Sequence, residues 1–214
     1  MMKSKVTTAP SVEPITVDEV KSHLNISGSE DDALITEYIK AARQLAEDYT
    51  GLKFITQTLE GYSDNWDGGT TQGQWWSGRV EGAYFSHVLN GQGHVTLDHG
   101  PCQSITTFET IDQSNTASTF NSSNYYLENF DNRMFPRVHL NDGATLPTAL
   151  RQHNGIKITY VAGFGDTAAD VPSSIKHALK YMTAELYEKR GGCDDCIKES
   201  GMSPILKPYR VKTV

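Results

Sequence analysis

Cysteine is scarce in this chain: three in 214 residues, at positions 102, 193 and 196. So small and odd a number excludes a scaffold built on disulfides, in which paired cysteines take the place of a core. Long apolar runs are missing too. No stretch approaches the ~20 residues that a helix needs to cross a bilayer. The start, MMKSKVTTAPSVEP, has no apolar segment after its lysines. It does not read as a secretory signal, and a flexible arm over residues 1–13 is expected, with synthesis in the cytoplasm. Positive charge is in deficit: 19 Lys and Arg stand against 26 Asp and Glu, a net charge of −7. That balance excludes the basic patch of a free-standing nucleic-acid reader. An acidic surface does suit a wall that DNA passes without sticking, because like charge repels the phosphate backbone.

Catalytic signatures are lacking as well. There is no GxSxG, no P-loop and no HExxH, and the histidines at 23, 87, 94, 99, 139, 153 and 177 hold no metal-ligand spacing. The Cys193-Asp194-Asp195-Cys196 segment lacks the second ligand pair of a zinc site. It follows a helix end and encloses two aspartates, whereas a redox CxxC sits at a helix N-terminus that favours the thiolate. Two incidental thiols in a loop are expected, with no catalytic residue, no cofactor and no metal.

What the chain does have is organised around Gly155–Arg190. Ile156, Ile158, Tyr160 and Ala162 alternate with partner-facing residues, which predicts a strand with one buried face. Gly163 and Gly165 punctuate it. A Gly-x-Gly before a helix can cradle phosphate, but Asp166 and Asp170 flank this one and no Lys or Arg lies between Lys157 and Lys176, so a structural turn is expected. Asp170-Val171-Pro172 opens a helix, with Asp170 set to accept from its first N–H groups. Ile175, Ala178, Leu179, Met182 and Leu186 form its apolar stripe, and Gly191-Gly192 ends it.

Upstream, Thr16 and Glu19 have capping-box spacing before a short helix with Val17, Val20 and Leu24 on one face. A longer helix is predicted from Ser29 to Gly51, roughly 33 Å at 1.5 Å per residue. Its broad stripe is Leu34, Ile35, Tyr38, Ile39, Ala42, Leu45, Ala46 and Tyr49, and it is expected to pack on the helix at 172–190. From 54 to 169 the pattern is β-rich, with strands predicted at 54–62, 84–89, 93–97, 104–111, 124–128 and 137–140, separated by turn clusters such as Asn90-Gly91 and Asn141-Asp142-Gly143. The segment 64–82 carries all three tryptophans, Trp66, Trp75 and Trp76, in a polar loop. Two readings stand: an exposed contact surface for protein or sugar, or rings folded back onto the sheet. The fold class is therefore α+β: an antiparallel scaffold of two long and two short helices (14–53 and 170–203) with a β-rich insert at 54–169 and a tail at 204–214.

Beyond these patterns the residues resemble a known family. Pro14-Ile15-Thr16, Glu19-Val20-Lys21-x-His23-Leu24, Asp31-Asp32-Ala33-Leu34-Ile35, Ala41-Ala42-Arg43, Glu47 and Tyr49-Thr50-Gly51 look like the opening of the tailed-bacteriophage head–tail connector (adaptor) proteins. Thr56-Gln57-Thr58, Gly100-Pro101, Ser104-Ile105, Tyr160-x-Ala162-Gly163-Phe164-Gly165-Asp166, Val171-Pro172, Ile175-Lys176, Ala178-Leu179, Tyr187-Glu188-x-Arg190 and Leu206-x-Pro208-Tyr209-Arg210 continue the match. The tryptophan loop, residues 112–123 and the CDDC depart from it. The resemblance implies a structural virion protein at the head–tail junction. It implies a homo-oligomeric ring, typically a dodecamer, bound beneath the portal protein. That ring extends the channel, through which DNA passes without specific binding, and offers a platform to a tail-side stopper or tail-terminator protein; no membrane is involved. The tail is implied as the portal-docking element, with Leu206, Pro208, Tyr209, Arg210 and Val211 as a docking strand that can be deleted from 204 onward without unfolding the rest. A second reading, from another class, is a carbohydrate- or protein-binding module that uses the tryptophans of the β-rich insert.

Overall fold

The computed structural model describes residues 2–64, 66, 94–129, 135–141, 143–144, 149–190 and 196–211. It is an α+β chain that divides into two compact units. The first is built from Met1–Thr8, Thr58–Asp131 and Phe135–Val161, and the second is built on Ala9–Gln57 and Ala162–Val214. The predicted strand at 84–89 and the turns Asn90-Gly91 and Gly191-Gly192 lie outside the described residues.

The first unit holds β1 (Lys3–Thr8), β2 (Gln57–Ser63), β3 (His94–Thr96), β4 (Cys102–Ile111), β5 (Ala117–Thr119), β6 (Tyr125–Glu128), β7 (Arg137–Leu140) and β8 (Ile156–Ala162). They form a five-stranded sheet, β1-β2-β8-β4-β5, and a three-stranded sheet, β3-β7-β6. In β2 and β8 every second residue is buried, the period-2 pattern of strands with one face in the core. Leu59, Ile156, Ile158 and Tyr160 are fully buried there.

The arm expected over residues 1–13 is not an arm at its start. Lys3–Thr8 pairs antiparallel with β2, from Lys3↔Tyr62 to Thr8↔Thr58. Three contacts explain it. Met2 is buried against β2, so tightly that a Cβ on Gly61 would sit 2.2 Å from its sulfur. The Ser4 N–H donates to Asp98 Oδ2 at 2.8 Å, and the Tyr160 hydroxyl donates to the other oxygen of the same carboxylate, also at 2.8 Å. Burial, with the nearby Asp98 charge, pushes the Tyr160 hydroxyl pKa up, so this phenol stays a donor. A lysine-rich polar sequence gave no apolar alternation by which to read this edge strand.

The second unit holds α1 (Val17–Leu24), α2 (Asp32–Thr50), α3 (Ser173–Glu188), α4 (Cys196–Glu199) and α5 (Ser203–Leu206). Three short helices, rather than two, accompany the two long ones among the described residues. The capping box of α1 is present: the Glu19 N–H donates to Thr16 Oγ1 and the Thr16 N–H to Glu19 Oε2. At 19 residues α2 is ~28 Å long, and Gly51 closes it in the left-handed region at φ 77°. It starts three residues later than the sequence suggests. Asp31 sits at its N-cap without a side-chain bond to the helix, its carboxylate accepting instead from the Tyr187 hydroxyl. Asp170 departs from the expected capping role at α3. Its carboxylate accepts from the Thr167 N–H and hydroxyl, and Pro172 is the uncapped N-cap of α3. The Thr167 N–H holds the Asp170 carboxyl below its usual range. Helices α2 and α3 pack on each other, and α1 packs on both.

Candidate functional site

Chemistry is not concentrated anywhere in the described residues. Among them no group of three His, Cys, Asp or Glu is placed to hold a metal ion, and no helix is long and apolar enough to cross a membrane. Cys102 is a buried free thiol whose pKa burial pushes up to about 12. Cys196 is disulfide-bonded, which corrects the reading of two incidental thiols; Cys193 lies outside the described residues. Gly163 and Gly165 hold no ligand-shaped turn. The Thr56 N–H donates to the Gly165 carbonyl, the Phe164 N–H to the Phe54 carbonyl, and Ile55 bridges to Gly165 in parallel. The pair of glycines is a close backbone crossing.

The polar centre of the second unit is Glu47, 2% exposed. Its Oε2 takes Lys53 Nζ at 3.1 Å and Arg43 Nη1 at 3.4 Å. Its Oε1 takes the Phe54 N–H at 3.2 Å and Gln57 Nε2 at 3.0 Å. Arg43 turns its Nε to Glu13 Oε2 at 2.7 Å. Burial works against the Arg43 charge, but the Glu13 hydrogen bond and the Glu47 charge outweigh it and raise its pKa. One carboxylate thus ties α2 to the chain that leaves it. A buried charge of this kind is tolerated because each of its lone pairs is used.

The predicted docking tail is present but is not a strand. Leu206 ends α5, and Lys207–Tyr209 continues as a 3-10 turn. Leu206 is fully buried and Val211 nearly so, with the Val211 N–H donating to the Thr50 carbonyl at 2.8 Å. Tyr209 shares a 2.7 Å hydroxyl hydrogen bond with Ser174 of α3, and the Arg210 guanidinium lies over the Tyr49 ring at 5.3 Å. Pro208 and Arg210 are exposed. Segment 203–211 therefore clasps the C-terminal end of α2 and the start of α3. Removing it from 204 onward would uncover the core beneath Leu206 and Val211, which argues against a dispensable tail.

Of the tryptophans, Trp66 is 8% exposed, packed with its ring 5.5 Å from Phe108 and 5.7 Å from Phe120. It is a core residue and not an exposed contact. Phe108 also meets Phe120 and Tyr125, so the cluster spans β4 and β6. Trp75 and Trp76 lie outside the described residues. Surface aromatics that sequence reasoning had not singled out occur elsewhere. Tyr181 of α3 lies between His23, at 4.7 Å, and His177, at 4.8 Å.

Residues 14–125 match the family model described as phage gp6-like head–tail connector protein. No curated protein matches the chain by sequence. Solved structures resemble it along its whole length. A chain in the neck of an empty gene transfer agent (GTA) particle, computed with C6 symmetry, gives a TM-score of 0.74 at 19% identity, covering 99% of this chain and 97% of that one. A chain of the native GTA virion gives 0.71 at 21% identity over 99% and 96%. A chain in the neck of the native particle, computed with C12 symmetry, gives 0.69 at 20% identity over 100% and 97%.

Proposed function

Because the chain belongs to the phage gp6-like head–tail connector family, we propose that it is a structural protein of a particle neck. It assembles as a ring, twelve copies in the complete particle, beneath the portal protein. The ring extends the DNA channel and carries a tail-side stopper or terminator protein. It is made in the host cytoplasm and ends up at the head–tail junction. The observation that carries this reading is the full-length match in fold to chains of particle necks, on top of family membership. The net charge of −7 agrees with a channel that lets DNA slide. No observation favours the sugar-binding alternative: the one described tryptophan, Trp66, has its ring in the core.

Within this reading the clasped segment is the portal-docking element, through its exposed residues Pro208 and Arg210 with Tyr209 between them, while Leu206 and Val211 hold it in place. Arg210→Glu tests it. The substitution removes an exposed cation–π contact, which changes stability by no more than about 1 kcal/mol. It is expected to weaken binding to immobilised portal rings at least tenfold, with a thermal midpoint within about 4 °C of the parent. Unchanged binding removes the docking role of this segment and leaves the ring itself standing.

A further inference from the structure

Helix α2 carries two apolar stripes, and only one is fully buried. Ile35, Ile39, Ala42 and Ala46 are buried in the second unit. One residue before each lies Leu34, Tyr38, Ala41 and Leu45, a parallel stripe turned about 100° around the helix. These four are half-buried or exposed, and Leu45 is 39% exposed. Their 4-3-4 spacing is that of residues that interlock with another helix. Tyr49, next along the stripe, is already covered by Arg210 and by a 3.3 Å hydrogen bond to Ser203. The polar side of the stripe is acidic. Glu37 and Asp48 are exposed beside it, with Lys40 engaged by Glu37 at 3.0 Å.

The other uncovered ring cluster has the opposite character. Tyr181, 38% exposed, stands with His23 and His177, both exposed, on the outer side of α1 and α3. Its neighbours on α3 are Lys176 and Lys180, against which stands Glu19, 3.3 Å from Lys180. Helix positions 177 and 181 are one turn apart, so the two rings make a ridge that the 34-38-41-45 furrow can receive.

We propose that these two surfaces meet between neighbouring copies of this chain, the α2 stripe of one copy receiving the His23–His177–Tyr181 patch of the next. The inference rests on the ring reading above. A cyclic ring needs two different surfaces per copy, because its contacts are head-to-tail. Charge decides between the possible pairings. Stripe against stripe brings Glu37 and Asp48 against their own copies, whereas stripe against patch brings them to the lysines of α3.

Two single-cysteine variants test the pairing. Leu45→Cys and Tyr181→Cys alter surface positions, so both are expected to fold. Each full-length chain is assembled alone, and the two are assembled as an equal mixture. Ring-sized mass is first verified by light scattering, and a short bismaleimide is then added. Cys102 is buried, and the unsubstituted chain controls for it and for the other two native cysteines. The expected result is a covalent dimer in the mixture and none in either variant alone. Leu45→Asp is expected to leave a folded chain, with a cooperative unfolding transition, and to shift the ring towards monomer by tenfold or more. A ring-sized mass with no mixed dimer, or with a dimer from Leu45→Cys alone, overturns the pairing while the ring stands. Absence of any ring, with or without portal, overturns the ring reading and the pairing with it.

Discussion

Replacing Glu47 by alanine is expected to cost about 3–5 kcal/mol, the range for removing one partner of a buried ion pair. Four donors lose their acceptor at once: Lys53 Nζ, Arg43 Nη1, the Phe54 N–H and Gln57 Nε2. Arg43 keeps Glu13, so the burden falls on Lys53, which is 7% exposed, and on the Phe54 amide. In a chain of this size the loss corresponds to a thermal midpoint lower by about 10 °C. Urea unfolding of the single variant checks the magnitude. The double variant Glu47→Leu with Lys53→Met separates causes: if the cost is mainly an unpaired buried charge, the double variant recovers much of the stability that Glu47→Ala loses. A midpoint within 2 °C of the parent (about 0.5–1 kcal/mol) would mean that the network contributes little.

Gly163→Ala is expected to be at least as damaging, for a backbone reason. Its φ is 142°, a region L-residues rarely enter, and an added Cβ would lie 2.6 Å from the Ile55 carbonyl carbon and from the Thr56 nitrogen. Both clashing atoms are main chain and are held by the Thr56–Gly165 and Phe164–Phe54 hydrogen bonds. Neither can give way without opening the crossing of residues 163–165 with residues 54–56. Gly165→Ala is the control. There the backbone is outside the left-handed region, and the added Cβ would meet only the Asp170 side chain, Cγ at 2.4 Å and Cβ at 2.5 Å, so Asp170 must shift and give up its Thr167 hydrogen bonds while no main-chain atom is among the nearest. Soluble yield and thermal midpoint should therefore fall far more for position 163 than for 165. Equal effects would mean that displacing Asp170 at position 165 costs as much as the main-chain clash and the positive φ at position 163.

The helices were legible because their signals are local. Apolar period, the Thr16–Glu19 box and Gly51 are each read within a turn or two, and α1, α2 and α3 differ from expectation only at their ends, whereas the four-residue helices α4 and α5 were not read at all. Strands β2, β3, β4, β6, β7 and β8 were legible from short alternating runs between turn residues. Strands β1 and β5 were not. Lys3–Thr8 is held by Met2, Asp98 and Tyr160, contacts made across long stretches of sequence, and Ala117–Thr119 is three exposed residues on a sheet edge. The tail was misread as a strand for the same cause. Its β-branched and apolar residues suit a strand locally, but Leu206 and Val211 are claimed by the core. Trp66 shows the limit from the other side. Its polar neighbours suggested exposure, and a partnership with Phe108 and Phe120 is invisible until β4 is in place. The two stripes of α2 appeared in sequence as one broad face, and only burial separates them.

The most direct test of the central claim is the solution mass of the purified chain, alone and mixed with portal rings, by light scattering. A neck adaptor is expected to associate with the portal and to reach the mass of a ring of about a dozen copies bound to it, as cyclic assembly on a symmetric template requires. A chain that stays at its own 23.7 kDa in every mixture contradicts the account.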